Sequence, residues 1–378
     1  MVADEQHYAP GTYPSLPPPM RTTGPIGWVR QNLLSSPSNV LLTLLSIAVL
    51  VYILPSFLNW AIFDATWHGV TRAPCNTPEG VDKPGACWTM VNARFGQFMY
   101  GRYPADQVWR VNLSFILLFA SFFALLIDRV PGKKWFAIFL FLIYPVIGFA
   151  LFYGGIFGLP VVETAKWGGL MLTLIIATVS ILASVPLGIF LALGRRSNLP
   201  VIRVLSITFI EFVRAVPLIT VLFMSSVMLP LFLPVGVNFD KLLRALVGFS
   251  LFYAAYMAEV VRGGLQAMPR GQYEGAMALG LGYWQLTRFI IMPQALRIAI
   301  PGIVNNFISL AQDTTLVAIV GLYDFLNIVR AGSRDSKWIG TEMEGYVFCA
   351  IIYFICCFAM SRYSMHLERK LHTGHKKR

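Results

Sequence analysis

The sequence predicts an all-α, polytopic helical membrane protein with about eight transmembrane helices. Composition is the first reason: 56% of the 378 residues are hydrophobic and 13% charged, where a soluble domain carries roughly 25% charged residues, and the mean hydropathy is +0.64. Spacing is the second. Runs of roughly 20 apolar residues, the length that crosses a bilayer core at about 1.5 Å per helical residue, recur at 40–59, 111–127, 135–153, 169–193, 204–233, 243–261, 302–321 and 346–360.

Residues 1–35 contain Pro17, Pro18 and Pro19 and show no apolar period, so they read as a disordered cytoplasmic tail. The run from residue 40 has neither an early basic segment nor a small-residue cleavage site, and is read as a retained first helix rather than a leader. A long connection, 59–110, then carries Cys75 and Cys87. If it faces an oxidising compartment, a disulfide and two free thiols both fit that spacing. Cys349, Cys356 and Cys357 fall in the last span and read as packing residues.

Net charge is +12, but the cations lie in short clusters between apolar runs, which argues against a nucleic-acid surface and for topology signals. Arg129, Lys133 and Lys134 form one cluster, and Arg195, Arg196 and Arg203 another. Arg262, Arg270, Arg288 and Arg297 form a third, and the last tail holds Arg362, Arg369, Lys370, Lys376, Lys377 and Arg378. Eight alternating helices put all of these on one side. Both termini are then cytoplasmic, with 59–110, 154–168, 234–242 and 322–345 facing outward.

The connection 268–297 has internal design. Glu274 to Leu279 favours helix, Gly280 and Gly282 permit a sharp turn, and a second short helix from Tyr283 is expected to end or kink at Pro293. Helices outside the bilayer must cover their apolar sides with headgroups or with a partner groove.

Glu274, Gly275, Ala276, Gly280, Ile290 and Pro293 resemble the EAA loop of ABC importer permeases, with Gly275 and Met292 where that pattern has Ala and Leu. The likeness extends through EFVRAVPLITVLF from Glu211, AAYMAEVVRGGLQAMPRGQYEGA from Ala254 and MPQALRIAIPGIVNNFISLAQDTTLVAIVG from Met292. These look like polar amino-acid permeases, specifically the larger, M-type subunit of general L-amino-acid or glutamate/glutamine/aspartate/asparagine transporters. Gln312 stands where that family commonly has Lys.

The resemblance implies a bacterial inner-membrane, multi-pass protein built of a three-helix extension with a periplasmic loop (36–164), a type I permease core of five helices (165–363) and a basic cytoplasmic tail (364–378). It implies a dimer of ATP-binding cassette subunits that carries ATP and Mg, contacted through Glu274 to Gly280. It further implies a second related permease, a periplasmic amino-acid-binding protein and a polar L-amino acid as substrate. No cofactor or metal is expected on this chain.

In the span from Gly302, the residues Asn305, Asn306, Ser309, Gln312 and Asp313, with Thr314 beside them, recur at three- and four-residue steps on one helical face. Polar groups in hydrocarbon are costly, so this stripe faces either a wet substrate pathway or a neighbouring helix that it binds as glue. Asp313 favours the pathway, because a carboxylate needs water or a cation such as a substrate ammonium. Glu211 with Arg214, and Glu259 with Arg262, are spaced to form structural ion pairs three residues apart. Pro186, Pro217, Pro230 and Pro301 interrupt or begin spans.

Enzymatic readings fare badly. Pro131-Gly132-Lys133-Lys134 lacks the first Gly and the hydroxyl of a phosphate-cradling loop, so ATP is expected on another chain. His7, His68, His366, His372 and His375 lie outside the predicted spans, and His372 with His375 lacks the companions of a metal site. The alternative function is an ion-gradient-driven amino-acid carrier or channel, which would need no ATP and would tolerate Glu274→Arg.

Overall fold

A computed structural model describes residues 24–75, 85–127, 129–156, 158–234 and 239–371. The Pro17–Pro19 segment, His7, and residues 372–378 of the basic 364–378 tail, with His372 and His375, lie outside the described residues. Among the described residues there are helices and isolated bridges but no strands. Seven helices are long and apolar enough to cross a membrane, or eight if one bent pair counts as a span.

The chain divides into two compact units. The smaller holds residues 1–67 and 75–87. Its helix α1, Gly24–Asn32, corrects the expectation of a tail through residue 35. Pro25 sits in the first turn, where its fixed φ is already helical, and Asn32 Nδ2 closes the other end on the Trp28 carbonyl at 2.9 Å. Helix α2, Pro37–Phe63, begins at Ser36, whose hydroxyl accepts from the Asn39 N–H at 3.2 Å. Cys75 and Cys87 form a disulfide with Cα atoms 5.6 Å apart.

The larger unit holds the rest. Its helices are α3 (Thr89–Tyr100), α4 (Ala105–Leu126), α5 (Lys133–Tyr153), α6 (Gly169–Arg195), α7 (Pro200–Ala215) and α8 (Leu218–Phe232). They continue with α9 (Lys241–Gln266), α10 (Arg270–Ala278), α11 (Tyr283–Val320), α12 (Phe325–Ser333) and α13 (Glu342–Leu371). Helix α9 is the most buried span. Phe249, Phe252 and Ala255 join one core cluster with Leu172, Leu222 and Leu310. Met257, Val261 and Leu265 join a second with Ala192, Ile291 and Ala295.

Three features differ from the sequence expectation. The run at 204–233 is two helices, α7 and α8, meeting at 105°. The short helix at Tyr283 does not stop at Pro293 but runs on as α11. Its π-helical turn at Leu286–Ile291 ends just before the proline, and the wider turn moves the carbonyl that the ring would strike. Pro145 and Pro230 follow π-helical turns at Phe139–Ile143 and Met224–Met228 in the same way.

The connections 59–110 and 322–345 also hold packed helices, where the sequence predicts only loop. In α3, Met90 and Phe98 are fully buried, and Arg94 Nη2 reaches Asp335 Oδ2 at 2.5 Å. In α12, Phe325, Ile328, Val329 and Gly332 are buried at helical spacing. Asp324 caps that helix, accepting from the N–H groups of Leu326 and Asn327 at 3.2 Å each.

Candidate functional site

The break between α7 and α8 has a local cause. Pro217 forbids helical backbone at the residue before it, and Val216 is accordingly extended with ψ 134°. Pro217 then starts α8 with no N–H to lose. The result is a bend that leaves Ala215 to Leu218 on the wall of a cavity of about 600 Å³.

That cavity gathers Arg214 from α7, Phe252, Tyr253 and Tyr256 from α9, and Asn305, Asn306, Ser309 and Asp313 from α11. Four of the six residues in the sequence-predicted stripe therefore share one wall. The other two do not line it: Gln312 is exposed with its amide 3.7 Å from Cys357 Sγ, and Thr314 is buried with its hydroxyl donating to the Ala311 carbonyl at 2.8 Å. Tyr253 donates to Asp313 Oδ2 at 2.6 Å. The Asn306 amide nitrogen is buried with no hydrogen-bond partner among the described residues. Aromatic faces, one guanidinium and one carboxylate thus converge on a space of ligand size.

The four charged residues expected in pairs belong to a larger cluster. Glu259 accepts from Arg262 Nε at 2.9 Å and also pairs with its Nη2. Glu211 pairs with Arg195 Nη1 at 2.7 Å rather than with Arg214, because α6 brings a guanidinium closer than the neighbour three residues along α7. Arg214 Nη1 instead lies 3.5 Å from Glu259 Oε2, as does Arg195 Nη1. Arg214 also stacks over the Tyr256 ring at 5.5 Å. Sequence reasoning placed Arg214 in an ion pair and missed the cavity, because only the break at Pro217 turns it inward.

The 268–297 connection forms α10, a turn and the first turns of α11. Ala276 is buried among Leu265, Met268, Leu286 and Ile291, and Ile290 packs against that cluster. Gly280 has φ +74° and bonds the Met277 carbonyl at 2.9 Å, while the Leu281 N–H reaches the Ala276 carbonyl at 3.2 Å. This double closure is the Schellman ending that glycine permits. Arg196 Nη1 donates to the Tyr273 hydroxyl at 3.2 Å and ties α10 to the end of α6. Outside the contact surface, Glu274, Gly275 and Pro293 are exposed, and Met277, Leu279 and Trp284 present 57%, 80% and 72% of their area.

Fold and cavity together define a polytopic helical membrane transport protein. Residues 184–373 match the family described as binding-protein-dependent transport system inner membrane component. The chain is 52% identical over 363 residues to the inner membrane amino-acid ABC transporter permease protein YhdY of Escherichia coli (strain K12), covering 96% of this chain and 97% of that one. It is 41% identical over 426 aligned residues to the glutamate/glutamine/aspartate/asparagine transport system permease protein BztC of Rhodobacter capsulatus, covering 95% and 96%. A probable amino-acid ABC transporter permease protein of Bacillus subtilis, YckA, is 35% identical over 203 residues, 53% of this chain and 87% of its own. The protein belongs to the binding-protein-dependent transport system inner membrane component family.

Proposed function

We propose that this chain is the transmembrane permease subunit of an ATP-driven importer for polar L-amino acids, with glutamate, glutamine, aspartate and asparagine as the substrate class. The observation that carries the reading is the cavity at the α7–α8 break, where Arg214 and Asp313 line the same space. A free amino acid carries a carboxylate and an ammonium group. Arg214 is suited to the first and Asp313 to the second, with Asn305, Asn306 and Ser309 left for a polar side chain.

Conversion of ATP energy into movement falls to partner subunits that bind ATP and Mg. Glu274 to Gly280, on α10 and the turn that follows it, with Ile290 and Pro293 on α11, form the coupling surface, and exposed Met277, Leu279 and Trp284 supply its apolar contact. A second related permease completes the pathway and a periplasmic binding protein delivers the amino acid. Alternating access then opens the cavity to one side at a time. The cationic connections support a cytoplasmic position for both termini.

The test is uptake into liposomes that contain the purified complex, with ATP inside or outside and binding protein present. ATP-dependent import of one of the four amino acids, lost in Asp313→Asn, supports the reading. Import driven by an ion gradient without ATP would make this a secondary carrier and overturn it.

A further inference from the structure

The ion cluster beside the cavity is electrically unbalanced. Among the described residues, Arg195, Arg214 and Arg262 face only Glu211 and Glu259 within ion-pair distance, three cations against two anions. The surplus is not shared evenly. Arg195 has a close partner in Glu211 at 2.7 Å, and Arg262 engages Glu259 Oε1 through both Nε and Nη2. Among the described residues Arg214 has, beside the Tyr256 face, only the 3.5 Å approach to Glu259 Oε2 as an ion pair, and its buried Nε has no hydrogen-bond partner. Of the three arginines, Arg214 alone lines the cavity.

We infer that Glu259 competes with the substrate for Arg214. In the empty cavity Glu259 Oε2 restrains the guanidinium; an entering α-carboxylate, with two oxygens matched to the guanidinium fork, draws Arg214 away. Glu259 Oε2 is then left to Arg195, already at 3.5 Å. One exchange of partners therefore changes the contacts between α7, which carries Arg214 and Glu211, the end of α6, which carries Arg195, and α9, which carries Glu259. Arg196, the next residue after Arg195, donates to Tyr273 of α10. Occupancy is thereby registered at the helix ends next to the coupling surface. Glu259 acts as a positioning residue, and this inference rests on the cavity being the substrate site.

The experiment is calorimetric titration of the intact complex in lipid nanodiscs without nucleotide. The probe is whichever of L-glutamate, L-glutamine, L-aspartate and L-asparagine binds most tightly, beside its analogue lacking the α-carboxylate. Glu259→Gln is expected to tighten binding of the amino acid about fivefold, the size of losing one partly exposed ion pair of about 1 kcal/mol. Binding of the analogue should stay unchanged, and substrate stimulation of ATPase should fall toward its unstimulated level. Glu259→Asp, which keeps a carboxylate near Arg262 but withdraws it from Arg214, should shift the amino acid in the same direction by less. Unchanged affinity in both variants, or equal tightening of amino acid and analogue, overturns the competition while leaving the substrate site standing. Absence of binding of all four amino acids to the wild-type complex overturns both.

Discussion

Two adjacent glycines on α9 should respond in opposite directions to the same substitution. A Cβ on Gly264 would stand 2.4 Å from the Ala295 carbonyl oxygen, 3.1 Å from its carbon and 3.2 Å from Ala299 Cβ. A carbon and a carbonyl oxygen rest no closer than about 3.3 Å, so α9 and α11 would have to part by about 1 Å. The obstructing atom is main chain and cannot rotate away. Overpacking of this kind costs up to about 3 kcal/mol, offset by about 1 kcal/mol from the better helix propensity of alanine, so Gly264→Ala should destabilise by about 2 kcal/mol. A Cβ on Gly263 meets nothing within 4 Å, and Gly263→Ala should keep the gain of about 1 kcal/mol. At roughly 1.3 °C per kcal/mol for a chain of 378 residues, the difference of about 3 kcal/mol should separate the two variants in Tm by about 4 °C. Thermal unfolding of the purified protein in detergent reads the difference. Equal Tm values, or Gly264→Ala at or above wild type, would refute the close approach of α9 and α11.

Replacing both Cys75 and Cys87 by Ser releases a closure of 12 residues, worth about 3 kcal/mol in chain entropy. Limited proteolysis should then cut the 59–87 region faster than in wild type, and an unchanged rate would argue against it. Glu274→Arg changes an exposed side chain and should leave the stability within about 0.5 kcal/mol of wild type, while the ATPase no longer co-purifies; retained ATPase contradicts the coupling surface. Burial holds the Asp324 carboxyl above its usual range, so the folded chain keeps that proton longer than the unfolded chain. Its contribution is present below the unfolded pKa of about 4 and is lost as pH rises through the folded value. Tm measured against pH should fall less steeply above about pH 4 in Asp324→Asn, and identical slopes would reject the assignment.

The spans were legible because each must satisfy its main chain internally and present apolar side chains to lipid, which leaves long unbroken runs. The helices α3 and α12 were not, because a packed helix of 12 or 9 residues between charged and glycine-rich neighbours does not stand out by length. Val91, Arg94 and Phe98 do carry a helical period, and a capping search would have found Asp324 three residues before Asn327. For the site, the polar face of α11 could be read from spacing alone, since one helix fixes which residues share a side. What faces it could not. Arg214 reads equally well as half of a pair with Glu211 until the Pro217 break and the position of Arg195 are known.

Neither charged residue of the cavity is bare. Asp313 accepts from Tyr253 at 2.6 Å, and Arg214 has Glu259 at 3.5 Å and the Tyr256 face. On the proposed function, an arriving amino acid would replace existing partners at Asp313 Oδ2 and on the Glu259 side of Arg214, and those contacts would contribute only the difference between new and old. A buried charge left without any partner would cost several kcal/mol, and filling it would give tight binding that resists release. Transport requires the opposite balance, with binding favourable enough to enter and weak enough to leave. The two poles differ in how they achieve it. The Tyr253 hydroxyl is neutral and can keep one carboxylate oxygen of Asp313 while an ammonium takes the other. Glu259 is charged and, on the proposed competition, would yield Arg214 to a second carboxylate, which would make the carboxylate end of the substrate the place where occupancy alters contacts beyond the cavity.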